Sequence, residues 1–149
     1  MHDDIMDNAS IRRGAQTVHE KWDLNTAILS GDAMLVQAYT FLDGYEPQLF
    51  QSLTTLFSKT ALEVCEGQQY DVDFESRNDV SIENYLEMIR LKTAVLVGCS
   101  MQMGAWVGGA SNEDAQLLYQ FGEQLGIAFQ LQDDFLDTFG DAANFGKRR

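Results

Sequence analysis

SNEDAQLLYQFGEQLGIAFQLQDDFLD, residues 111–137, is the stretch on which the fold turns. Ser111 followed by Asp114 gives a capping-box start. The segment predicts one long helix to about Phe139, with Gly140 opening a polar tail that ends Gly146-Lys147-Arg148-Arg149. Working outward, Gly108-Gly109 closes an earlier helix, predicted from an N-cap at Ser81 with Glu83 in its first turn to about Val107. Asp71–Asp79 is charged and aperiodic and reads as a loop. Before it, Gly44 and Pro47 punctuate a turn into a helix over Gln48–Tyr70. Over Asn25–Leu42 the apolar residues Ile28, Leu29, Met34, Leu35, Ala38 and Leu42 recur at helical spacing. The chain has a single proline, and no strand pattern competes. Long helices joined by short turns predict an all-α bundle.

Composition narrows the function. The chain has 149 residues, enough for one domain or part of one, and 45% of them are hydrophobic, which excludes a disordered acidic tail. With 10 Lys+Arg against 23 Asp+Glu the net charge is −13. That argues against a broad nucleic-acid or anionic-membrane surface. An acidic protein binds phosphates only through metal ions or a few placed cations. Cys65 and Cys99 lie in apolar surroundings without metal-ligand spacing and read as reduced core thiols, which fits a cytoplasmic protein. The uncharged run Thr93–Ala110 contains Gly98, Ser100, Gln102, Gly104, Gly108 and Gly109, and reads as a buried helix rather than a membrane span. Both chain ends, with two aspartates at positions 3 and 4 and a basic triplet at the close, suggest a piece of something longer.

The chemistry-bearing feature is a pattern used twice. Asp3-Asp4-Ile-Met-Asp7 and Asp133-Asp134-Phe-Leu-Asp137 both read D-D-x-x-D. On a helix the first and last aspartates share a face, where their repulsion costs a few tenths of a kcal/mol. A divalent cation offsets that cost. Magnesium takes oxygen ligands, keeps several waters, and uses one or two carboxylates together with substrate phosphates. Solvated acidic faces are the alternative, weakened by the repetition. Arg12-Arg13-Gly14 follows the first cluster and Lys147 the second, so cations of the phosphate-clamping type flank both. Surface salt bridging explains each cation equally well when it is taken singly.

Taken in order, the motifs HDDIMDNASIRRG (2–14), GDAML (31–35), EGQQYD (66–71), LKTA (91–94), FQLQDDFLD (129–137) and GK (146–147) resemble the trans-isoprenyl diphosphate synthases, or polyprenyl synthetases. A lone DDxxD also occurs in terpene cyclases, and it is the joint set that is specific. The resemblance implies a bundle of long helices around a central cavity, the isoprenoid synthase fold, usually as a homodimer. The two aspartate motifs would lie on facing helices, and this chain would supply the central section. It implies head-to-tail condensation of an allylic diphosphate with isopentenyl diphosphate, releasing pyrophosphate. Mg2+ would be the cofactor, three ions with substrate bound, acting as a Lewis acid on the leaving group.

Carried over by position, Asp3 and Asp7 would be metal ligands with Asp4 in support. Asp133 would lead the second set, with Asp134 and Asp137 binding directly or through water. Arg12, Lys92 and Lys147 would hold the allylic diphosphate, and Arg13 the isopentenyl diphosphate. Lys92, Thr93 and Gln130 would line and stabilise the carbocation. Read without the resemblance, Thr93 is an ordinary mid-helix threonine and Gln130 a hydrogen-bonded core residue. Phe121, Phe129, Phe135, Met101 and Met103 read as core before they read as a prenyl tunnel.

The chain also departs from the family pattern. It lacks the basic set upstream of the first motif that completes the isopentenyl diphosphate site, the residues that gauge product length, and the helices after Gly-Lys. Residues 1–149 are therefore expected to be one incomplete domain without N- and C-terminal helices, with weak or no turnover in isolation. Two other functions remain open: a non-catalytic partner subunit of a prenyltransferase, which often loses an aspartate motif, and an inactive fragment.

Overall fold

The structure is a computed structural model that describes residues 1–140. The chain divides into two compact units, Met1–Phe50 and Gln51–Arg149.

In the first unit, α1 (His2–Met6) carries Asp3 and Asp4 in its first turn, and Asp7 is its C-cap. A small antiparallel hairpin follows, β1 (Ile11–Arg12) and β2 (Ala15–Gln16), which the helical reading of the sequence misses. Its cause is the two-residue loop. Arg13 and Gly14 sit at φ +51° and +79°, the paired left-handed conformation of a type I′ turn, whose twist matches that of the strands it joins. Thr17 Oγ1 closes the base of the hairpin by donating to the Ala9 carbonyl at 2.7 Å. A short α2 (Val18–Lys21) leads into α3 (Leu24–Thr40), capped where Asp23 Oδ1 accepts from Thr26 N at 2.8 Å. The His2 ring lies over Gly31 of α3, where a Cβ would come within 2.5 Å of it. His2 Nε2 also stands 2.9 Å from the Ile28 carbonyl, which ties α1 to α3.

Helix α4 (Pro47–Phe74), most of which belongs to the second unit, starts at the proline, whose missing N–H costs nothing at a helix start. It runs on through Asp71, where the charges predict a loop. The extra turn is held by Gln69 donating to Asp73 at 2.8 Å, by Tyr70 stacked on Phe74, and by Lys92 opposite Asp71. Ser81 then caps α5 (Ile82–Ile89), accepting from Asn84 N at 3.2 Å. Residues Arg90–Ala94 form a π-segment, and α6 (Val95–Val107) continues the same rod. The segment is pressed from two sides by backbone. A Cβ on Gly67 of α4 would lie 2.2 Å from the Lys92 N, and one on Gly126 would lie 2.6 Å from the Ala94 Cα.

The partner on that second side is α7 (Asn112–Phe139), whose Gly122 backs onto Gly98 of α6. The core between these helices is Leu53, Ile89, Ala94, Val95 and Cys99. Cys99 is buried as expected, but Cys65 is exposed, because its face of α4 looks outward. No helix among the described residues is long and apolar enough to cross a membrane. At the start of α7, Ser111 Oγ accepts from Asp114 N at 3.1 Å. Ser111→Ala should therefore lower unfolding stability by about 1 kcal/mol in a urea titration.

Candidate functional site

The first cluster is organised by Arg12. The hairpin folds back so that this guanidinium reaches both Asp4 and Asp3, the latter at 3.1 Å. Asp4 is 4% exposed. Burial pushes its pKa up, but the hydrogen bond and charge of Arg12 outweigh that and hold the carboxyl below its usual range. Asp4 is thus a fixed, ionised acceptor inside the cluster, while Asp3 is half-buried and Asp7 exposed. Arg13, at the tip of the turn, is also exposed.

The second cluster occupies the last turns of α7. The face that packs Gly122 against α6 and Gly126 against the π-segment carries on, at helical spacing, to Gln130, Asp133 and Asp137. Asp134 accepts from Gln130 Nε2 at 2.8 Å and from Tyr85 Oη at 2.5 Å. Thr93 Oγ1 donates to Gln130 Oε1 at 3.2 Å. The Gln130 amide is thereby oriented, with its oxygen towards Thr93 and its nitrogen towards Asp134. Burial, together with the Asp134 carboxylate, drives the Tyr85 phenol well above its ordinary pKa, so it stays a donor. On the other side of the rod, Lys92 Nζ stands 2.5 Å from Asp71 Oδ2.

The π-segment explains why these groups meet. Eight residues separate Tyr85 from Thr93, a mismatch of about 80° on a regular α-helix. One inserted residue reduces the interval to seven α-positions, within about 20° of two full turns. Tyr85 and Thr93 therefore both reach α7.

The donors suit a hard cation. They are carboxylates without soft ligands, and Asp4 and Asp134 are each held by hydrogen bonds within their cluster. No group of three or more His, Cys, Asp or Glu side chains among the described residues forms a ready-made metal cage. Such a set fits Mg2+, which completes its shell with water and phosphate oxygens.

The Polyprenyl synthetase family matches this sequence along residues 1–149. The chain belongs to that family. It is 44% identical over 151 residues to the geranylgeranyl diphosphate synthase of Methanosarcina mazei, a match that covers 100% of this chain and 47% of that one. It is 42% identical to the geranylfarnesyl diphosphate synthase of Natronomonas pharaonis, over 100% of this chain and 44% of the relative. A crystal structure of a geranylgeranyl pyrophosphate synthase superposes with a TM-score of 0.94 at 59% identity, covering 99% of this chain and 45% of that one. The geranyltransferase of Helicobacter pylori, solved with magnesium and isoprenyl diphosphate, gives 0.87 at 32% identity, over 99% of this chain and 50% of that one. The fold is the all-helical isoprenoid synthase fold, and the chain spans about half the length of the curated relatives it matches.

Within this polyprenyl synthetase chain the structure brings Thr93, Gln130 and Asp134 together and sets Lys92 on Asp71. Lys147 lies outside the described residues. Sequence reasoning missed Tyr85 and gave Asp71 and Gln68 no role. Gln68 Nε2 is buried without a hydrogen-bond partner in this structure. A cleft of about 450 Å³ lined by Gln51, Thr55, Lys59, Gln102, Trp106 and Tyr119 lies near the start of α7. By helical rise it is on the order of 20 Å from Asp133, and it has no carboxylate in its lining.

Proposed function

We propose that the protein, at its full encoded length, is a Mg2+-dependent trans-prenyltransferase that extends an allylic diphosphate by isopentenyl diphosphate. We take residues 1–149 as the central section of a longer domain that works as a homodimer. The observation that carries this reading is the chain Thr93–Gln130–Asp134–Tyr85 beside Asp133 and Asp137, in a sequence matched to the family from end to end.

Asp3, Asp7, Asp133 and Asp137 hold the metal ions, and Asp4 and Asp134 orient their neighbours. Mg2+, when bound, supplies Lewis-acid activation of the diphosphate leaving group. Arg12, Lys92 and Lys147 bind the allylic diphosphate, and Arg13 binds the isopentenyl diphosphate. Each cation now paired with a carboxylate, Arg12 with Asp3 and Asp4 and Lys92 with Asp71, exchanges part of that pairing for phosphate oxygens.

The allylic C–O bond breaks and its electron pair leaves with pyrophosphate. The isopentenyl double bond attacks the allylic carbon, and the resulting cation loses a proton to the departing pyrophosphate. Gln130 Oε1 and the Thr93 carbonyl present fixed dipoles to the positive charge, a preorganised stabilisation of the kind that lowers barriers most in a dry site. Water must be excluded, or the cation becomes an alcohol.

The test is incubation of the full-length protein with labelled isopentenyl diphosphate and C5–C15 allylic diphosphates across a Mg2+ series. The expected result is a longer prenyl diphosphate and one pyrophosphate per condensation, both lost on chelation. No product at any Mg2+ concentration would sink the proposal.

A further inference from the structure

We infer that Tyr85 is a positioning residue of the second aspartate cluster, fixing Asp134 through its hydroxyl so that Asp133 and Asp137 are presented to the metal. The inference rests on the function proposed above and adds a residue that lies outside every motif quoted from the sequence.

Asp134 is held through both of its carboxylate oxygens. An ionised carboxylate has two oxygens and no donor. In the structure each oxygen already receives one hydrogen, Oδ1 from Gln130 Nε2 and Oδ2 from Tyr85 Oη. The donors come from different elements, Gln130 from one turn earlier on α7 and Tyr85 from α5. A carboxylate gripped from two directions cannot swing about its side-chain torsions. Asp133, its covalent neighbour, is half-buried, and Asp137 is exposed. The fixed member therefore sets the local conformation in which its two neighbours meet the ion.

Asp4 plays the matching part in the first cluster, with Arg12 as its clamp. The second cluster uses a neutral clamp where the first uses a charged one. The Tyr85 phenol donates a hydrogen bond to Asp134 without adding charge. It therefore holds Asp134 while leaving the negative potential that attracts Mg2+ intact. An arginine in its place would cancel part of that potential. Partners of this kind, one bond removed from the metal, typically change metal affinity or activity by 10–100-fold when they are lost.

Tyr85→Phe removes the hydroxyl and keeps the ring. The experiment is calorimetric titration of the full-length protein with inorganic pyrophosphate at a series of Mg2+ concentrations, run beside steady-state kinetics. In Tyr85→Phe the Mg2+ concentration for half-saturation should rise about tenfold and kcat should fall by a similar factor. KM for isopentenyl diphosphate should stay within twofold, because Tyr85 acts through Asp134. The metal-free thermal midpoint should move by only a few degrees, the loss of one hydrogen bond.

Asp134→Asn should reproduce the Mg2+ shift, and the double variant should lose no more than the worse single one, since both break the same link. A merely structural tyrosine would lower the midpoint and leave the Mg2+ requirement where it was. If the unmodified protein binds Mg-pyrophosphate and Tyr85→Phe binds it equally well, the inference is overturned and the proposed function stands. If the unmodified protein binds none, the proposed function falls and takes this inference with it. Should Tyr85→Phe fail to fold, an unchanged Mg2+ requirement in Asp134→Asn overturns the inference alone.

Discussion

Asp133→Ala is expected to lower the condensation rate of the full-length protein by on the order of a thousandfold while leaving the metal-free fold intact or slightly firmer. The rate loss follows from the role. A ligand removed from a Mg2+ site forfeits several kcal/mol of leaving-group stabilisation, and each 1.4 kcal/mol is about tenfold in rate. The stability change has the opposite sign. Asp133 and Asp137 stand at i and i+4 on α7, a like-charge spacing that destabilises a helix by about 0.2–0.5 kcal/mol. Removing one charge relieves the repulsion when no cation is present to offset it. Initial rates and thermal melts in chelator measure the two effects separately. A rate within tenfold of the unmodified protein would exclude Asp133 as a ligand. No condensation by the unmodified protein, together with partner binding that Asp133→Ala leaves unchanged, would favour the non-catalytic subunit.

Gly67→Ala should produce the largest loss of stability available from one added methyl. Its Cβ would stand 2.2 Å from the Lys92 N and 2.7 Å from the Leu91 carbonyl carbon. Both are backbone atoms in the π-segment, so no side chain can turn aside to make room. Overpacking of this kind costs about 1–3 kcal/mol and sometimes more, and this contact belongs at the upper end. Gly104→Ala supplies the contrast. It lies in α6 with nothing within 4 Å of its Cβ position, so the same chemical change should stabilise by up to about 1 kcal/mol through helix propensity. Urea midpoints of the two variants should move in opposite directions. If both move the same way, the close approach of α4 to the π-segment is wrong.

Much of this was legible in the sequence for identifiable reasons. Helix ends announced themselves where a side chain does the capping: Ser81 and Ser111 both accept the predicted backbone hydrogen, and Gly108 ends α6. The aspartate clusters were visible because spacing alone defines them. What stayed hidden depends on partners distant in sequence. The extension of α4 through Asp71 needs Lys92, which lies 21 positions away in the chain. The partnership of Tyr85 with Asp134 spans 49 positions, and only the folded register brings the two together. The hairpin was missed because its turn places an arginine at φ +51°, a conformation that sequence reading assigns to glycine or asparagine. Roles carried by the family resemblance, such as that of Arg13, are legible only through it, since nothing local to an exposed arginine says phosphate.

The π-segment also has a consequence for how this chain can change over generations. A π-turn amounts to one surplus residue in an α-helix. A deletion anywhere in Arg90–Ala94 would let the rod relax into regular hydrogen bonding, a gain for the helix taken alone. The seven α-positions then left between Tyr85 and Thr93 would still lie within about 20° of one face, so the register towards α7 would survive. A deletion in the regular turns of α5 or α6 has no surplus residue to absorb it, and would wind everything on one side of the cut by about 100° relative to the other. Loss of a single codon is thus absorbed inside the π-segment, where the lost residue is not itself functional, and penalised on either side of it. A library of one-residue deletions scanned through α5 and α6 should show folded protein surviving best within Arg90–Ala94, between two deep troughs.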